Sequence, residues 1–196
     1  MEKFPKTAVI LAGGQGSRMG YRDKAFLKYR GRTFIDHLLE GVEGFEEIIV
    51  VSNRPEEYRE YQVRVVEDVI KGIGPLGGIY TGLLHSSYEE VMVVSCDTPF
   101  QNREFLNYMG RLSGTYEIAL PRHAEGREPL CALYRRSLVD GIEELIGEKT
   151  YRITCLFNKS RMKWIDIEAL DKSREIKEGF KNINTPEELK EIGGEV

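Results

Sequence analysis

Cysteine is scarce in this 196-residue chain: Cys96, Cys131 and Cys155 are odd in number, scattered, and form no C-x-x-C pair. That argues against a disulfide framework or a zinc site and leaves three small, buried or half-buried hydrophobes. Histidine is as rare, and His37, His85 and His123 show no ligand spacing, so they read as structural or solvent-facing. No apolar run approaches the ~18 residues that span a bilayer, and no membrane contact is expected. The start, Met1-Glu2-Lys3-Phe4-Pro5-Lys6, has no apolar core behind its charges and does not read as a signal peptide. The expected location is cytoplasmic. A net positive charge is missing too: the balance of −4 argues against a nucleic-acid binder. Glutamine occurs only at Gln15, Gln62 and Gln101, while Glu, Lys and Arg abound, a leaning seen in thermophilic proteins.

What is present reads as soluble and globular, with 41% hydrophobic and 31% charged residues. The length fits one domain over residues 1–196, long enough to bury a sizeable core. The charge is uneven. Arg18, Arg22, Lys24, Lys28, Arg30 and Arg32 face one acid, Asp23, within a window of +5, which leaves −9 for the rest. A positive funnel on an acidic protein suits a small polyanion.

Apolar, strand-like runs recur at Thr7–Leu11, Ile48–Val51, Val63–Val66, Val91–Ser95, Ile118–Leu120, Leu130–Tyr134 and Lys163–Ile167. They are continuous rather than alternating, as in strands covered on both faces. Helical spacing marks Phe34–Leu39, Gly77–His85, Arg103–Leu112 and Leu138–Ile146, and Thr185-Pro186-Glu187-Glu188 looks like a helix start. Strand and helix alternate, which predicts an α/β fold with a mostly parallel central sheet. In such sheets ligands sit beyond the carboxyl ends of the strands.

Two of those ends carry chemistry. The first strand runs into Leu11-Ala12-Gly13-Gly14-Gln15-Gly16-Ser17-Arg18-Met19-Gly20. Glycines let backbone approach a ligand closely, and successive N–H groups there make an anion-binding concavity. Arg18 and Lys24 add positive charge where phosphates would lie. The P-loop string G-x-x-x-x-G-K-[ST] is absent. A nicotinamide-binding reading is weakened because Gly20 and Gly31 interrupt the next stretch and no second β run appears before Ile48. The fourth strand ends in Ser95-Cys96-Asp97-Thr98-Pro99-Phe100, which delivers a carboxylate where a buried strand emerges. Mg²⁺ takes one or two carboxylates plus phosphate oxygens and waters, so Asp97 suits it. Taken alone, it could equally be a turn aspartate.

The string Leu11-Ala12-Gly13-Gly14-x-Gly16-x-Arg18-Met19-Gly20-x-x-Asp23-Lys24 resembles the signature of the nucleotidyltransferases that act on molybdopterin, and its Gly-Gly and Asp-Lys pairs resemble the guanylyl branch. Cys96-Asp97-Thr98-Pro99-Phe100 resembles the metal-binding motif of the same molybdenum cofactor guanylyltransferases, and the likeness extends from Leu11 to Leu189. Arg22 departs from the small or apolar residue of the pattern. The resemblance implies a three-layer Rossmann-like nucleotidyltransferase fold. It implies transfer of GMP from GTP to the phosphate of molybdopterin, with Mg²⁺ as cofactor and pyrophosphate released.

It also implies roles. Arg18, Lys24 and Asp97 would be catalytic, with Asp97 on the metal. Leu11, Ala12, Gly13, Gly14, Gly16 and Lys24 would be binding residues, with the backbone of Gly13 to Gly16 holding the triphosphate. Asn53 and Asp68, each just past a strand, would contact the guanine nucleotide. Gly78, within Gly74-Pro75-Leu76-Gly77-Gly78, would let the base lie on backbone. Asn182 and Asn184 would touch the pterin half, although Asn-x-Asn-Thr-Pro also fits a helix-capping turn. Glu128–Tyr134 is a further similar segment. The implied partners are GTP and molybdopterin (the molybdenum cofactor), with molybdoenzymes or other cofactor-biosynthesis proteins as candidate protein partners. Two other readings stay open: a cytidylyl- or sugar-phosphate nucleotidyltransferase, and a non-catalytic protein that holds GTP or a cofactor.

Overall fold

The structure, a computed structural model, describes residues 3–12, 23–191 and 193–195. The first strand, β1 (Phe4–Leu11), is followed by a short hairpin of β2 (Lys28–Tyr29) and β3 (Arg32–Thr33), then α1 (Phe34–Gly41) and β4 (Phe45–Val51). Next come β5 (Arg64–Val66), α2 (Pro75–His85), β6 (Glu90–Ser95) and α3 (Arg103–Arg111). The chain continues through β7 (Ile118–His123), β8 (Gly126–Arg127), β9 (Cys131–Arg135), α4 (Val139–Gly147) and α5 (Thr154–Phe157). It closes with β10 (Met162–Asp166), α6 (Ser173–Gly179), α7 (Pro186–Glu191) and β11 (Gly194–Glu195).

The main sheet has the order β10-β7-β9-β6-β1-β4-β5, with β8 beside β7. All pairings along that order are parallel except those of β9, which runs against β6 and β7. The expected mostly parallel α/β sheet is therefore observed.

Alternate residues of each strand go to opposite faces, and here both faces are covered. On one face Ala8, Ile10, Val50, Met92 and Val94 pack under α1, α3 and α6 through Ile35, Leu38, Phe105, Leu106 and Ile176. On the other, Val9, Leu11, Ile49, Val51 and Val93 pack under α2, α4 and α5 through Leu76, Ile79, Leu83, Ile142 and Leu156. This double burial explains why the strands read as unbroken apolar runs. It also gives the three layers.

Of the expected strands, Leu130–Tyr134 corresponds to β9, the reversed one, and the helix expected at Thr185 is α7. Glu188 Oε2 accepts from the Thr185 backbone N–H while Thr185 Oγ1 accepts from Glu188 N–H, a reciprocal cap.

One expectation is corrected. The sequence shows no β run between the glycine loop and Ile48, yet β2 and β3 form a hairpin there and join β11 in a small separate sheet. Its turn puts both Arg30 (φ 49°) and Gly31 (φ 76°) in the left-handed region. Asn-Gly is the usual signal for such a turn, and Arg-Gly hides it. A third apolar cluster, Leu27, Phe34, Ile183 and Leu189 with Tyr29 and Phe100 against it, ties this part of the chain to the segment before α7.

Candidate active site

Four parallel strands end in one row. Val66 pairs with Val51, Val51 with Leu11, and Leu11 with Ser95. Asp68, Asn53 and Asp97 each follow the last residue of that row by two positions. Neighbouring strands lie about 4.8 Å apart, so β4 and β6 stand about 10 Å apart across β1. The row crosses the switch point of the sheet: β4 and β5 lie to one side of β1, β6 to the other.

Leu11 and Ala12 are buried, and two of their backbone groups are engaged: Cys96 N–H donates to Leu11 O at 3.0 Å and Ala12 N–H to Val51 O at 2.9 Å. These bonds fix where the chain leaves β1, directly beside Cys96-Asp97. Gly13, Gly14, Gly16 and Arg18 lie outside the described residues.

Description resumes at Asp23, whose Oδ1 accepts from Ala25 N–H at 3.0 Å and caps a single 3-10 turn, Lys24–Phe26. Its Oδ2 accepts from the Tyr58 hydroxyl at 3.0 Å. Burial raises the Asp23 carboxyl above its ordinary value, more than its hydrogen bonds lower it. Burial likewise pushes up the Tyr58 phenol and the Cys96 thiol. Cys96 is therefore a neutral packing group.

Lys24 Nζ donates to Asp97 Oδ1 at 2.7 Å and to Asn184 Oδ1 at 2.9 Å. The lysine side chain is 18% exposed and the aspartate 42%. Asn184 reaches this point because Ile183 N–H donates to Asp97 O at 2.8 Å and Ile183 is buried. Asp97 N–H in turn donates to Ser95 Oγ at 3.3 Å. Thus Lys24, Asp97 and Asn184 converge, although they come from three distant stretches of sequence. Asn182 is exposed two residues before Asn184.

At the other end of the row, Asn53 Nδ2 donates to Asp68 Oδ2 at 2.7 Å. Asn53 is exposed, and Asp68 half-buried. Gly78 lies inside α2, fully buried, and a Cβ there would stand 2.9 Å from Leu11 Cδ2. Its observed role is close packing of α2 on β1. Gly74, with φ 68°, supplies the backbone entry to that helix.

Residues 8–161 match the family model of the MobA-like NTP transferase domain. The chain belongs to that family. A probable molybdenum cofactor guanylyltransferase of Clostridium perfringens is 44% identical, covering 95% of this chain and 96% of the relative. One of Pelotomaculum thermopropionicum is 36% identical over 93% and 89%. Among solved structures, the molybdopterin-guanine dinucleotide biosynthesis protein A of Archaeoglobus fulgidus aligns with a TM-score of 0.79 at 27% identity, covering 95% and 96%.

Within the MobA-like frame, the parts played by two residues beside the candidate site, Asp23 and Tyr58, escaped the sequence pattern. Asp23 was visible only as half of an Asp-Lys pair, and its capping role had no signal beyond an aspartate before a short turn. Tyr58, in a 3-10 turn after β4, had none. No group of three or more His, Cys, Asp or Glu residues is arranged to hold a metal among the described residues. No helix among them is long and apolar enough to cross a membrane.

Proposed function

We propose that this chain, acting as one nucleotidyltransferase unit over residues 1–196, joins the GMP part of GTP to the phosphate of molybdopterin and forms molybdopterin guanine dinucleotide. The observation that carries the reading is the meeting of Lys24, Asp97 and Asn184 at the switch point of the sheet, in a MobA-like chain. A molybdopterin phosphate oxygen forms a bond to the α-phosphorus of GTP. The bond from that phosphorus to the bridging oxygen breaks, and pyrophosphate leaves with the electron pair. The attacking oxygen is already anionic near neutral pH, so no general base is needed. The task is positioning and charge neutralisation.

Lys24 and Arg18 are assigned to offset phosphate charge, and the backbone of Gly13 to Gly16 to cradle the triphosphate. Asn53 and Asp68 are assigned to the guanine nucleotide, and Asn182 and Asn184 to the acceptor. A lone, partly exposed carboxylate such as Asp97 suits Mg²⁺, which keeps waters and phosphate oxygens rather than an all-protein cage. When bound, the ion would neutralise and align the triphosphate.

The test is a melting series with Mg²⁺ and each of GTP, CTP, ATP and UTP. GTP should raise the midpoint most, because a ligand that binds the folded state stabilises it in proportion to its affinity. A larger shift with CTP would move the chain to the cytidylyl reading.

A further inference from the structure

We infer that Tyr58 is a positioning residue for the transfer: its hydroxyl holds the Asp23 carboxylate and, through it, the turn that presents Lys24. The inference rests on the assignment of Lys24 to the phosphates. Both oxygens of Asp23 are engaged, one by the Ala25 N–H inside the turn and the other by Tyr58 Oη, each at 3.0 Å. Tyr58 is itself immobilised. It is 1% exposed and packs its ring against Phe26 at 4.9 Å and Tyr61 at 6.2 Å. A cap alone needs only one oxygen, and an exposed serine or aspartate would supply it. Here the second oxygen is tied to a separate segment, Pro55–Tyr58, directly beyond the strand end that carries Asn53.

The arrangement matters because of what happens to the other end of Lys24. Without substrate, Nζ is steadied by Asp97 and Asn184. When phosphates draw the ammonium away, those two contacts no longer restrain it, and a lysine stem has four rotatable bonds. What then limits the reach of Nζ is the anchored backbone at Asp23 and Lys24. The link also joins the segment after Asn53 to the turn that carries Lys24 through a part-buried hydrogen bond, and so helps set the spacing between the assigned nucleoside and phosphate contacts.

The test is a double-mutant cycle of Tyr58→Phe and Lys24→Ala, read as kcat for pyrophosphate release at saturating GTP and molybdopterin. Melting midpoints confirm folding, and Asp23→Asn serves as a second probe of the link. Tyr58→Phe keeps the ring and removes the hydroxyl. It should lower kcat about tenfold or more, as small misplacements do, with KM for GTP within roughly twofold. With Lys24 already alanine, the same change should cost less than roughly twofold, since residues acting through one group are not additive. An equal loss in both backgrounds, or none in the parent, overturns the role of Tyr58 and leaves the assignment of Lys24 standing. Near-normal turnover of Lys24→Ala alone overturns both.

Discussion

The ammonium of Lys24 stands 2.7 Å from a carboxylate oxygen of Asp97, across 73 residues of chain. The cation we assign to phosphate and the carboxylate we assign to a metal thus pair with each other in this structure. Both side chains keep contact with solvent, so the pair contributes little to stability, about 0–1 kcal/mol. On the proposed assignment its placement would favour exchange: a metal ion at Asp97 and a triphosphate at Lys24 would each replace a partner of the pair with one of like charge.

Asp97→Asn should therefore abolish metal-dependent turnover while the fold survives, with the melting midpoint within about 3 °C of the parent. A Mg²⁺ titration of pyrophosphate release, run beside a melting curve, checks both halves. Near-normal turnover would remove Asp97 from the metal.

Lys24→Ala should lower kcat about a hundredfold, the scale of one lost charge contact to a developing transition state, or ~3 kcal/mol. Steady-state kinetics decide this, and a change below roughly twofold would count against the assignment.

Gly82→Ala tests the layer under the site without touching it. A Cβ at Gly82 would stand 2.8 Å from Cγ1 and 2.9 Å from Cγ2 of Val9, a β-branched residue in the middle of β1. Each staggered χ1 rotamer of Val9 leaves at least one methyl against the new Cβ. The expected loss is about 2 kcal/mol, or about 4–8 °C of melting temperature. An unchanged midpoint would mean that α2 does not sit this close to β1.

His123 predicts a pH dependence of stability. Its ring nitrogens lie 2.7 Å from Glu125 and 2.7 Å from Glu128, and its face stacks on Phe180. Burial opposes the charged ring, but the two glutamates together outweigh it and raise the pKa above the ordinary 6.5. The sign follows from a folded value above the unfolded one. The stabilisation is complete below about pH 6.5 and fades as pH rises through the higher folded value. Melting curves from pH 5 to 9 should show this decline, and His123→Gln should flatten it. A parallel slope in the variant would contradict it.

Much of this was legible in the sequence because strands buried on both faces announce themselves as unbroken apolar runs, and in a parallel sheet the residue after each run falls at one edge. That logic alone put Asn53, Asp68 and Asp97 together. It failed at the β2–β3 hairpin, where strands of two residues carry no period and Arg30-Gly31 lacks the usual turn chemistry. It could not pair Lys24 with Asn184, because nothing local in either segment encodes a contact over 160 residues. The histidine read as structural or solvent-facing, His123, pairs with Glu125 and Glu128, only two and five positions on; the β7–β8 hairpin that folds them together is too short to show a period.

The most direct test of the central claim is mass analysis of the product formed from molybdopterin, GTP and Mg²⁺. One GMP should be added per molybdopterin, with one pyrophosphate released. Recovery of unmodified molybdopterin beside intact GTP, from a folded protein that melts cooperatively, would contradict the account.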